Sequence, residues 1–191
     1  LAEIPLDIFV HDVIDEAYVG EEKRLVNRNM RLLEVSADGS SLKMWISAGM
    51  DFHNDTLWHP KSLLKDIIEN VGYPQPCSVG GGQDLQLVED CMRATWEAAG
   101  EWTAEAIHYL IKEYGFKMVF SHFHNIDLQG HMIVQFLKRG NSSLSAEVIQ
   151  NLFREVYKQT DRYIGKYLDM LDDGWTIMIV SDHGQTCPEY H

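Results

Sequence analysis

The sequence predicts an α/β fold: parallel strands flanked by helices, with an antiparallel β-hairpin segment nearer the N-terminus. Three observations carry that prediction. Residues 117–123 and 175–180 are short apolar runs between turn signals, the pattern of strands buried on both faces. A helical periodicity lies between them, and strand, helix, strand in that order implies a right-handed parallel crossover that brings both strand ends to one rim of the sheet. Ahead of them, residues 30–36 and 42–48 flank the turn Ala37-Asp38-Gly39-Ser40, the signature of a hairpin.

Taken in order, Ile4, Leu6, Ile8 and Val10 alternate as a first strand, and an acidic loop is expected from there through Glu22. The second hairpin strand sets Leu42, Met44 and Ile46 on one face, and Lys43, Trp45 and Ser47 on the other. A loop over 49–59 leads into Pro60, suited to the first position of a helix that runs to about Val71 and stops at Gly72. After a Pro- and Gly-rich loop over 73–83, Asp84 is placed to cap a helical stretch reaching Tyr114, with Gly115 as its end and Gly100 as a point of bending. Ser145 caps the next helix, whose apolar positions Val148, Leu152, Val156, Ile164, Leu168 and Leu171 recur near 3.6-residue spacing before Asp172-Asp173-Gly174 ends it. The chain divides on this reading into a hairpin-containing, insert-like segment over 1–59 and a partial α/β metal-binding catalytic core over 60–191.

Composition narrows the function. At 191 residues, 45% hydrophobic, the chain can bury a core. Sixteen Lys and Arg against 29 Asp and Glu leave a net charge of −13, which disfavours nonspecific binding to a nucleic acid polymer or an anionic membrane. Phosphate substrates are still compatible with it, because bound divalent cations reverse the local potential. No apolar run approaches the ~20 residues of a membrane span. Cys77, Cys91 and Cys187 are odd in number and form no C-x-x-C pair, so a reducing, cytoplasmic location is expected, or an extracytoplasmic one if a signal peptide has been removed ahead of Leu1.

The chemistry concentrates in two segments. Asp127 and His131 are four apart, so a helical turn beginning near Leu128 puts both on one face. Asp182 and His183 are adjacent at the end of the last apolar run, where Gly184 allows the strand to break and the two side chains to converge. Carboxylates mixed with imidazoles suit zinc, with manganese or iron as alternatives, and two motifs on one rim suggest two divalent ions. Such ions ~3.5–4 Å apart can hold the attacking and leaving oxygens of a phosphoryl transfer. Singly, each motif reads as a helix cap or a packed histidine; together they read as a metal site. His122 and His124 alternate about Phe123 and lie near the site, with packing and hydrogen bonding as their simpler role. Gly80-Gly81-Gly82 lacks the Lys-Ser/Thr of a phosphate-binding loop and reads as a plain loop.

These residues resemble the alkaline phosphatase superfamily, and within it the type I phosphodiesterase/nucleotide pyrophosphatase branch. The resemblance rests on Asp127-x-x-x-His131, on Ser181-Asp182-His183-Gly184, and on Tyr157-x-x-x-Asp161-x-x-Ile164-Gly165 between them, and it covers about residues 29–187. It implies an alkaline-phosphatase-like core in which Asp127 and His131 serve one ion and Asp182 and His183 the other. A downstream histidine completes the first set, for which His191 is the one residue at hand, and an Asp on an opening strand completes the second. It further implies a Thr or Ser nucleophile at a helix N-terminus early in the domain, for which no segment here is a match, so the catalytic nucleophile is unknown and the chain is expected to be a weak catalyst by itself. The activity implied is hydrolysis of small-molecule phosphate esters. The alternatives are a phosphomutase or sulfatase-like reaction, or a noncatalytic metal-binding domain.

Overall fold

The computed structural model describes residues 4–77, 84, 87–138 and 145–184. They form two compact units, divided between Val119 and Phe120.

In the first unit β1 (Phe9–Val19), β2 (Glu22–Val35), β3 (Leu42–Ile46) and β4 (Met50–Asp51) make an antiparallel sheet ordered β1-β2-β3, with β4 also paired to β2. The hairpin between β2 and β3 is where its turn residues put it, pairing Met30 with Ile46 and Val35 with Leu42. Gly39 takes φ +70, and the Asp38 carboxylate accepts from the Ser36 and Ser40 hydroxyls at 2.7 and 2.8 Å. The core side of β3 is the one carrying Trp45 and Ser47; Leu42 and Ile46 are exposed.

The acidic loop expected ahead of Glu22 is instead strand β1, joined to β2 by a two-residue turn at Gly20-Glu21. Cross-strand charge explains it. Asp15 meets Arg28 at 2.8 Å and Glu16 meets Lys23, so acidic residues of β1 are matched to basic ones of β2; just ahead of β1, Asp7 meets Arg31 at 2.9 Å. A bulge between Val10 and Val13 puts Asp12 at φ +58, where its Oδ1 accepts from the Asn27 and Gln75 amides at 3.0 and 2.6 Å.

Helix α1 (Ser62–Asn70) buries Leu63, Leu64 and Ile67, and Gly72 at φ +117 closes it through its N–H on the Ile67 carbonyl. Asp84 accepts from the Leu87 N–H, a π-helical turn spans Val88–Met92, and α2 (Arg93–Tyr114) follows. Gly100 does not break α2, because it lies buried within a continuous helix that ends on left-handed Gly115. The two helices pack through Leu63, Ile67 and Ala106. Hydrogen bonds from Tyr109 and Tyr114 to Asp66 Oδ2, at 3.0 and 2.6 Å, add to that contact.

The second unit holds a helix pair, α3 (Asn125–Lys138) and α4 (Ala146–Gly165), with a short 3-10 turn over Leu168–Leu171. Ser145 caps α4, its Oγ accepting from the Val148 N–H at 3.3 Å. Ile133 of α3, and Leu152 and Val156 of α4, are buried, together with the amides Asn125, Gln129 and Gln159.

The parallel strands predicted over 117–123 and 175–180 are not formed. Among the described residues both runs lie outside any helix or sheet. A strand needs a ladder partner, and here the apolar side chains meant for its two faces are open: Phe120 is 84% exposed and Met178 80%.

Candidate functional site

Asp127 is the centre of the candidate site. Helix α3 begins at Asn125, slightly earlier than the sequence suggests, so Asp127 stands in its first turn and His131 one turn further on the same face. His131 Nε2 approaches Asp127 Oδ1 to 3.0 Å. On the other side, His124 Nε2 donates to Asp127 Oδ2 at 2.7 Å. The Leu128 N–H donates to the His124 carbonyl at 3.2 Å, which closes the helix's first turn around these residues.

The second motif comes to the same carboxylate. His183 Nε2 lies 3.9 Å from Asp127 Oδ1 and 3.7 Å from Asp182 Oδ2. Its Nδ1 donates to the Gly184 carbonyl at 3.0 Å. That hydrogen bond, reinforced by the negative charges of Asp182 and Asp127, holds the His183 imidazole above its ordinary pKa. Asp182 is turned to its neighbour, its Oδ1 accepting from the His183 N–H at 3.1 Å. His122 stands behind, its ring centroid 4.7 Å from that of His124. His191 lies outside the described residues, as does the Gly80-Gly81-Gly82 loop.

Chemically this is a carboxylate ringed by imidazoles and open to solvent on one side: Asp127 is 21% exposed, His183 55%. Asp127 Oδ1 is itself buried and has no hydrogen-bond partner among the described residues, so the approach of His131 is one of proximity without donor alignment. Among the described residues, no three His, Cys, Asp or Glu side chains are arranged to hold an ion as they stand. The imidazole nitrogens converge on the carboxylate instead of on a point that it shares with them.

Sequence reasoning placed His124 near the site without giving it a partner there. The signal was present in the spacing His124, Asp127, His131, which puts all three on one helical face.

A family model described as type I phosphodiesterase / nucleotide pyrophosphatase matches residues 24–188. The chain belongs to this family. No curated protein and no solved structure matches it. The match to the phosphodiesterase family opens in β2 and runs through both Asp-His motifs, so it takes in β2, β3 and β4 of the first unit and the helix pair of the second, while β1 precedes it. The family acts hydrolytically on phosphate esters, and a small-molecule phosphoester fits it as substrate. No helix among the described residues is long and apolar enough to cross a membrane.

Proposed function

We propose that this phosphodiesterase-family chain carries the divalent-metal site of a hydrolase acting on small-molecule phosphate esters, with Asp127 and His131 serving one ion and Asp182 and His183 the other. The observation that supports it is the environment of Asp127 Oδ1: a buried carboxylate oxygen without a hydrogen-bond donor, 3.0 Å from His131 Nε2 and 3.9 Å from His183 Nε2. An unpaired buried carboxylate oxygen is costly, and a cation is the partner that a mixed oxygen and imidazole donor set favours. Zinc is the first choice on that donor set, and manganese or iron the alternatives. Bound there, the ions would supply Lewis acidity toward a phosphoryl oxygen and lower the pKa of a coordinated water. The chain's own residues do the rest. Asp127, in the first turn of α3, presents its buried Oδ1 to His131 and His183, and His131 is carried beside it by the helix. His183 is steadied by the Gly184 carbonyl on its far nitrogen, which fixes which nitrogen faces the site. On this reading residues 60–191 belong to the catalytic core, and 1–59 form a hairpin-bearing segment ahead of it.

The test is zinc or manganese binding, together with turnover of bis-p-nitrophenyl phosphate, in the wild type and in Asp127→Asn and His183→Ala. Metal-dependent turnover that both substitutions reduce by at least ~100-fold is expected, the scale of losing a group that organises transition-state charge. Metal binding unaffected by Asp127→Asn would remove the assignment of the site.

A further inference from the structure

Resting on the metal reading above, we propose that His124 is a positioning residue for Asp127, holding Oδ2 by hydrogen bond so that Oδ1 is the oxygen presented to an ion. A carboxylate can turn about its last bond and exchange its two oxygens; something must choose between them. Here Oδ2 receives His124 Nε2 at 2.7 Å, while Oδ1 is buried and unpartnered, and it is Oδ1 that both His131 and His183 approach. The two oxygens therefore have different work, and His124 divides it.

His124 is itself constrained from two directions. Its carbonyl accepts the Leu128 N–H in the first turn of α3, and its ring lies 4.7 Å from the ring of His122 at an interplanar angle of 34°. An Nε2 that donates its proton to Oδ2 has no lone pair left for a metal, so through that nitrogen His124 acts on the carboxylate and not on the ion. Carboxylates that ligate metals are generally held by outer hydrogen bonds of this kind, and losing one costs about 10–100-fold in metal affinity.

The experiment measures zinc affinity of the whole chain by competition with a chromophoric chelator, in the wild type, His124→Ala, His124→Gln and Asp127→Asn, with far-UV circular dichroism and melting of the zinc-free proteins alongside. His124→Ala is expected to bind zinc about 10–100-fold more weakly at an unchanged zinc-free melting temperature. His124→Gln, whose amide can donate to the same oxygen, should recover most of that affinity. Wild-type affinity in His124→Ala, or His124→Gln as weak as His124→Ala, overturns the proposal, the second result making the imidazole a ligand. Equal zinc binding by the wild type and Asp127→Asn is a separate failure, because it removes the metal reading on which the role of His124 depends.

Discussion

Replacing Gln159 with Met should loosen the helix pair that carries Asp127 by about 1–3 kcal/mol, the cost of leaving a buried donor without its acceptor. Gln159 is 3% exposed, and its Oε1 accepts from Gln129 Nε2 at 3.0 Å. Asn125 Nδ2 stands 3.5 Å from the same oxygen, but Asn125 loses less, because its Nδ2 also reaches the Val156 carbonyl at 3.5 Å. Gln129, 1% exposed, is the group left stranded. Met has nearly the length and volume of Gln, so little cavity is added to the hydrogen-bond loss. Gln159→Ala adds that cavity, and the difference between the two variants, about 2–5 kcal/mol, reads packing separately from polarity. The chain has two compact units, so a single unfolding transition is the wrong observable. Amide hydrogen exchange within α3 and α4, measured against urea concentration, reports on this pair directly. Gln159→Met within about 0.5 kcal/mol of wild type, with Gln159→Ala strongly destabilised, would mean that the amide pair contributes no more than its volume.

Two further outcomes follow from the first unit. Gly49→Ala should destabilise the sheet by about 1–3 kcal/mol, read by amide hydrogen exchange within β2 against urea concentration, because an added Cβ would stand 2.8 Å from Cγ2 of Val26, which is 2% exposed; unchanged exchange would show that Val26 can turn away. The Asp38 carboxyl, held at about 2 first by the Ser36 hydroxyl and then by Ser40, lies below its ordinary value of 3.8, so its contribution to the β2–β3 turn is full above about pH 4 and is lost as pH falls through 2. Carboxyl NMR titration should place the folded midpoint near 2 and move it upward in Ser36→Ala; a midpoint at the ordinary value in the wild type refutes that assignment.

What could be read from sequence was the part fixed by local chemistry. The turn 37–40, the Gly72 and Gly115 stops and the Ser145 cap each depend on residues within a few positions of one another, and each is in place. Strand β1 was illegible for the opposite reason. Alone, residues 11–19 look too acidic for a strand, and the partners that offset that charge, Arg28 and Lys23, come from β2. The same distinction separates the two site motifs. Asp127 and His131 meet because a helix brings i and i+4 together, whereas the approach of His183 depends on how the segment after α4 returns to α3, which spacing does not encode. The predicted strands at 117–123 and 175–180 were read from apolar content, and apolar content specifies burial without supplying the neighbour whose backbone completes a ladder.

Why a helix pair bearing this site should use amides in its interior follows from the geometry of α3. Successive side chains turn by about 100°, so with Asn125 at zero Gln129 lies at about 40° and Ile133 at about 80°. Asp127 and His131 fall at about 200–240°, on the far side of the same helix, and His124 immediately precedes it. An interior made only of aliphatic groups would bury similar area at several rotations of α3 about its axis. Gln129 reaching Gln159, and Asn125 reaching Thr160, are satisfied at one rotation only. A slip by one residue would strand those amides and swing Asp127 away from His183, so the same hydrogen bonds that hold the pair together also aim its carboxylate. The zinc affinity of Gln159→Met should therefore fall along with its exchange protection.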